Sequence, residues 1–194
     1  MKRVIVLLLG AMPLLSNAQG RMQAELFTGV AAYSGDLTQS PVQVQSLRPA
    51  LQINFKYEMQ EQLYWRAGIA WGMLGASDKY NDRPELLNRN LSFQSQIIEL
   101  TLGLEYAVLP PDLFDQGYPY IFAGVGAFHF NPYAFDDNNN KVNLQPLSTE
   151  GQGLAQYPDR KPYKLTQFCI PFGAGFTFPM NDRFAVSGEL AFRK

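Results

Sequence analysis

The chain has 194 residues, 46% hydrophobic and 17% charged, with 14 Phe, 10 Tyr, 16 Gly and 13 Pro. That is one domain in size, and its many aromatics and net charge of −1 exclude bulk disorder. The 16 basic residues face 17 acidic ones without clustering, which excludes a polyanion-binding surface. Outside the N-terminus no apolar window reaches the ~18 residues of a helical membrane span. A strand-built membrane protein passes all these tests, because its hydrophobicity is spread over alternate positions.

Lys2 and Arg3 precede an apolar run over residues 4–15, and Ser16-Asn17-Ala18 then supplies small residues before Gln19. This order of charge, apolar block and small residues predicts a secretory signal peptide over 1–18, followed by a β-barrel domain over 19–194. Its removal takes Lys2 and Arg3 with it and leaves 14 basic against 17 acidic residues, a net charge of −3. No cysteine follows the cut to carry a lipid. Cys169 is the sole cysteine, so no internal disulfide forms.

From there the period is two. In 24–33, Leu26, Thr28, Val30 and Ala32 lie opposite Glu25, Phe27 and Gly29. In 47–57, Leu47, Pro49, Leu51, Ile53, Phe55 and Tyr57 oppose Arg48, Ala50, Gln52, Asn54 and Lys56. Leu63, Trp65, Ala67, Ile69, Trp71 and Met73 then alternate with Tyr64, Arg66, Gly68, Ala70 and Gly72. Ile98, Leu100, Leu102, Leu104 and Tyr106 alternate with Glu99, Thr101, Gly103 and Glu105. Residues 118–130 read as a strand whose two faces are both apolar or glycine, so its inward side is unassigned. Phe168, Ile170, Phe172, Ala174, Phe176 and Phe178 oppose Gln167, Cys169, Gly173 and Gly175. Last, Phe184, Val186, Gly188, Leu190 and Phe192 oppose Ala185, Ser187, Glu189, Ala191 and Arg193. Strand side chains alternate between faces, so these are seven strands, with a short helical turn near 84–88 as the one helical element.

The connections alternate in length: long at 35–46, short at 59–62, long at 77–90, moderate at 109–117, very long at 131–164 and short at 179–182. Tight turns at one end and long loops at the other are the rhythm of outer-membrane barrels. The runs also match the ~9–11 residues of a spanning strand and exceed the ~5–6 of a globular one. The polar face holds Gly, Ala, Thr and Gln with isolated charges of both signs: Arg48, Lys56, Arg66, Glu99, Glu105, Glu189 and Arg193. Such a mixture suits a narrow lumen where small residues make room and opposite charges pair. Trp65, just past a short turn, is placed for an interfacial girdle. The predicted fold is therefore an all-β, small antiparallel up-and-down transmembrane β-barrel. Eight strands are expected when complete and seven are visible, which predicts a C-terminal returning strand missing from this chain.

Catalytic chemistry is sparse. His129, the lone histidine, reads as a belt or loop-base residue near Phe128 and Phe130. Asp136, Asn138 and Asn140 have the spacing of a calcium loop, but Lys141 and Leu147 stand where it needs Gly and Glu, so a solvated turn is expected. Gly124/Gly126 and Gly173/Gly175 lack the helix of a phosphate loop and read as strand glycines. Glu99 and Glu105, about 20 Å apart along one strand, are too distant for glycosidase work. No catalytic, cofactor or metal residue is assigned.

Two stretches are distinctive: YPYIFAGVGAFHFNPY over 118–133 and GQGLAQYPDRKPYKLTQFCIPFGAG over 151–175. With Tyr33-Ser-Gly-Asp36 and Arg89-Asn-Leu-Ser-Phe93, they resemble a Bacteroidetes family of small outer-membrane barrels, mostly of unassigned function, similar to the PorG component of the type IX secretion system. The resemblance spans about 24–193. It implies a non-enzymatic outer-membrane anchor for protein secretion, touching lipid and a periplasmic ring of PorK and PorN, with no nucleic acid, no cofactor and no catalytic residues. The alternatives are a surface adhesin or ligand-binding barrel acting through the 131–164 loop, where Tyr133, Phe135, Tyr157 and Tyr163 would make contacts, and a lipid-modifying enzyme using His129.

Overall fold

The computed structural model describes residues 3–9, 22–35, 37–38, 43–80, 83–111, 117–136, 138–148, 152–153, 156, 158–159, 161–181 and 183–194. Among the described residues there are ten strands: β1 (Arg3–Leu9), β2 (Met22–Ser34), β3 (Arg48–Gln60), β4 (Leu63–Ser77), β5 (Ser92–Ala107), β6 (Tyr118–Phe135), β7 (Lys141–Asn143), β8 (Thr166–Cys169), β9 (Pro171–Pro179) and β10 (Ala185–Arg193). A helix, α1 (Pro84–Arg89), falls on the expected helical turn. Pro84 pre-sets its first turn, and Asn90, left-handed at φ 48°, ends it.

All seven expected strands are present, and each pairs antiparallel with its sequence neighbour. β2 to β6 form a meander, β6 pairs with β9, and β9 pairs with β10. The eighth place in the wall is held by β1, antiparallel to both β2 and β10, with Ile5 opposite Ala32 and Phe192. The ring therefore closes through a segment inside the stretch read as a signal peptide. Small residues at 16–18 and the rest of that stretch beyond β1 lie outside the described residues.

The run expected over 168–178 is divided at Pro171, which has no N–H to give the ladder. Its register against β6 is unbroken: Cys169 lies opposite Gly126 and Phe172 opposite Ala123. Ile170 keeps the edge closed by exchanging backbone bonds with Lys194, at 2.9 and 3.2 Å. The expected 131–164 loop begins later than its sequence suggests. β6 runs on to Phe135, and β7 folds back on it, Val142 opposite Ala134.

Burial is inverted relative to a water-soluble domain. Gln52, Asn54 and Lys56 of β3 are buried, while Leu51, Ile53, Phe55 and Tyr57 between them are exposed. On β5, Glu99 and Glu105 are buried and Leu100 is 60% exposed. The undecided strand resolves by pairing. Phe122 and Phe128 face Glu105 and Glu99 across the β5–β6 ladder and so point inward, whereas Ile121, Val125 and His129 point outward. Trp65 and Trp71 are both exposed on the outer face, Trp65 beside Tyr57 near the Glu61–Gln62 turn.

Gly175 is required by close approach: a Cβ there would collide with the Tyr120 ring, whereas one at Gly188, on the outer face, would meet nothing. We expect Gly175→Val to cost about 1–3 kcal/mol by overpacking and Gly188→Ala to be near silent. Both are measured as shifts in the denaturant midpoint of the refolded protein.

Candidate functional site: the charged lumen

The inward-facing polar residues meet in one connected network. Lys56 Nζ lies 2.7 Å from Glu25 Oε1 on one side and 2.7 Å from Glu105 Oε1 on the other. Arg66 bridges onward, from Nη1 to Glu105 Oε2 at 3.2 Å and from Nη2 to Glu189 Oε2 at 2.7 Å. The Tyr120 hydroxyl donates to the same Glu189 oxygen at 3.0 Å. In the other direction, Asn54 donates to Glu25 at 3.3 Å, Gln52 donates to Asn54 at 2.7 Å, and Arg193 Nη2 donates to Gln52 at 3.3 Å. Arg193 closes the chain on Glu99 Oε1 at 3.0 Å, and the Cys169 thiol donates to Glu99 Oε2 at 3.6 Å. The network joins β2, β3, β4, β5, β6, β8 and β10.

The lumen is occupied as well as charged. The Arg66 guanidinium sits 4.1 Å from the centre of the Phe122 ring, and Lys56 lies between the Tyr64 and Tyr120 rings. Such cation–aromatic contacts gain strength where water is excluded. Toward the short turns Tyr64, Ala107 and Tyr118 pack together. Toward the long loops Phe27, Ala31, Ala50 and Leu74 form a second apolar cluster.

Of the charges expected to pair inside, Lys56, Arg66, Glu99, Glu105, Glu189 and Arg193 do so. Arg48 does not; its guanidinium caps the rim by donating to the carbonyls of Gln45 and Leu47. Glu25, Gln52, Asn54 and Tyr120 are members that charge pairing alone did not bring out. Their signal is their place on the inward face of the alternation.

Of the carboxylates singled out as a pair, Glu99 and Glu105 both belong to this network but meet different cations, Glu99 meeting Arg193 and Glu105 meeting Lys56 and Arg66. The remaining singled-out residues lie apart from it. His129 is exposed on the outer face, its Nδ1 3.0 Å from the Thr166 hydroxyl. Asp136 forms the expected turn, taking backbone N–H bonds from Asn138 and Asn140 at 2.9 and 2.7 Å and the Asn140 side chain at 3.1 Å. These donors use the oxygens that a cation would need, and no cluster of metal-ligating side chains occurs among the described residues. Asp137, Tyr157 and most of 149–160 lie outside the described residues. Tyr133 donates to Gln94 at 3.1 Å, and Tyr163 stacks on Phe130.

A family model described as "Domain of unknown function (DUF6089)" matches residues 2–150. The chain belongs to this family. The matched region takes in β1 to β7 and the lumen residues from Glu25 to Tyr120. No curated protein and no solved structure matches the chain.

Removing one partner from a buried ion pair strands the other charge at low dielectric, a loss of about 3–5 kcal/mol. Arg66→Met strands Glu189 and takes one of two cations from Glu105, which keeps Lys56, so its stability should fall by an amount in that range, read from the denaturant midpoint. The Asp136 turn gives a separate, pH-based expectation. The Asn140 and Asn138 donors hold its carboxyl below the usual carboxylate range. Its contribution to turn stability is therefore complete above the unfolded carboxylate pKa of about 3.9 and lost as pH falls through the lower folded value. The Asn138 and Asn140 amide resonances, followed through acidification, should lose their hydrogen-bonded shifts over that window.

Proposed function

We propose that the chain is a non-enzymatic outer-membrane β-barrel that serves as an anchor in the cell envelope, exported by an N-terminal leader over 1–18. The observation that carries this reading is the inverted burial. Lys56 and Glu105 are sealed inside, while Leu51, Ile53, Leu100, Leu102 and Val125 cover the outer wall. Monomers in water seldom expose contiguous apolar patches beyond a few hundred Å². An apolar band with Tyr57, Trp65 and Tyr106 near its short-turn end fits a bilayer and its aromatic girdle. In this reading the short turns face the periplasm and the long 131–164 segment faces outward, which the alternating loop lengths support.

The secretion role rests on the sequence resemblance to PorG-like barrels of the type IX system, with PorK- and PorN-like ring proteins as the partners of the short turns. The lumen supports an anchor over a channel: Tyr120, Phe122 and the ion pairs fill it, as side chains fill the interior of a narrow barrel.

Cell fractionation tests the location. The protein should stay with the outer membrane through a carbonate wash and need detergent for release. A freely soluble monomer in detergent-free buffer overturns the reading. Cross-linking in intact cells, followed by detergent extraction, should capture periplasmic ring proteins; capture of surface ligands alone would favour the adhesin instead. Intact mass tests the leader: a chain beginning at Gln19 supports cleavage, whereas the full 21.8 kDa would keep β1 as a permanent wall strand.

A further inference from the structure

At the long-loop end of the lumen, the structure holds a cavity of about 50 Å³ lined by Ala31, Leu74, Ile97 and Phe128 together with Gln52, Glu99 and Arg193. Ala31 and Leu74 each lie three residues from the loop-side ends of their strands, which places the cavity just beneath the rim. A second space of about 20 Å³, lined in part by Arg66, Phe122 and Gly124, shares Gln52 and Arg193 with the first. Arg193 has its Nε and Nη2 committed to Glu99 and Gln52. Its Nη1 is buried and has no hydrogen-bond partner among the described residues. An unpaired buried donor is costly to keep, and it is most easily kept where something else satisfies it.

What satisfies it is constrained by size and charge. A single water needs only ~10–15 Å³ of such space, so the larger cavity exceeds one water, and its mostly aliphatic and aromatic lining gives water few partners. An anion is disfavoured. Glu99 already neutralises Arg193, and the connected network holds four carboxylates (Glu25, Glu99, Glu105, Glu189) against Lys56, Arg66 and Arg193.

We propose that this cavity is a binding site for a small, largely apolar molecule carrying one neutral acceptor oxygen, an amide or ester carbonyl, which takes the hydrogen of Arg193 Nη1 while its apolar body lies against Leu74, Ile97 and Phe128. The site is independent of which protein the barrel anchors. It rests on the lumen of the full chain, where Val4 and Val6 of β1 lie opposite Arg193 and Ala31, so it is tested on that chain and its outcome is read apart from the fractionation result.

Butanamide is the probe, titrated into the detergent-folded full chain carrying labelled Leu and Ile methyl groups. The Leu74 and Ile97 methyls should shift saturably in the millimolar range, in keeping with so small a ligand. Ile98 and Leu100, on the outer face, report partitioning into detergent and should stay unmoved. Butanoate should bind at least tenfold more weakly. Arg193→Met should weaken butanamide about tenfold, the worth of one hydrogen bond. Leu74→Trp, outside the ion-pair network, fills the cavity and should abolish the Ile97 shift in a folded protein even where Arg193→Met fails to fold. Shifts spread equally over Ile98 and Leu100, tighter binding of butanoate, or undiminished binding by Leu74→Trp each overturn the proposal. So does a titration that moves neither Leu74 nor Ile97, which leaves the cavity to water.

Discussion

The structure depends on charges that have no way back to water. Once Lys56, Arg66, Glu105 and Glu189 are enclosed, each is tolerable only through its neighbours, and those neighbours sit on different strands. A one-residue slip of any strand would turn its charges outward and its leucines inward. The network therefore enforces register as well as filling space. Arg66 and Glu189 are separated by 123 residues and held at 2.7 Å, so this guanidinium ties β4 to β10 across the lumen.

Much of this was legible beforehand, because period two is a direct imprint of the strand on the sequence. The face carrying Lys56 and the face carrying Leu51 separate on inspection, as do those of Glu189 and Leu190. Partner identity was not legible. Which Glu meets Arg66 depends on how far the strands stagger around the ring, and stagger leaves no mark in a local pattern. Tyr118 to Phe130 was opaque for another reason: glycines and aromatics occupy both faces, and only the neighbouring Glu99 and Glu105 decide the inward side. Arg3 to Leu9 was opaque in a third way. A charge followed by an uninterrupted apolar run serves a leader and a sealed wall strand equally well.

The lumen is also divided along its length. Near the short turns it holds Tyr64 and Tyr118, at mid-height the ion pairs, and near the long loops Phe27, Leu74 and Ile97. Glycines at 173 and 175 leave room for the Phe122 and Tyr120 rings, so small residues on one wall and large ones on the facing wall are two halves of one packing solution. The larger open space, about 50 Å³, lies in the loop-side third.

β6 is 18 residues long, about 60 Å at 3.3–3.4 Å per residue, and far outruns the 9-residue β9 beside it. Its last residues therefore stand clear of the rim, braced by β5 on one side and β7 on the other. The Asp136 turn crowns that ribbon. A peptide spliced between Phe135 and Lys141 would be displayed at a fixed height and bearing, like a flag on a mast rather than on a tether.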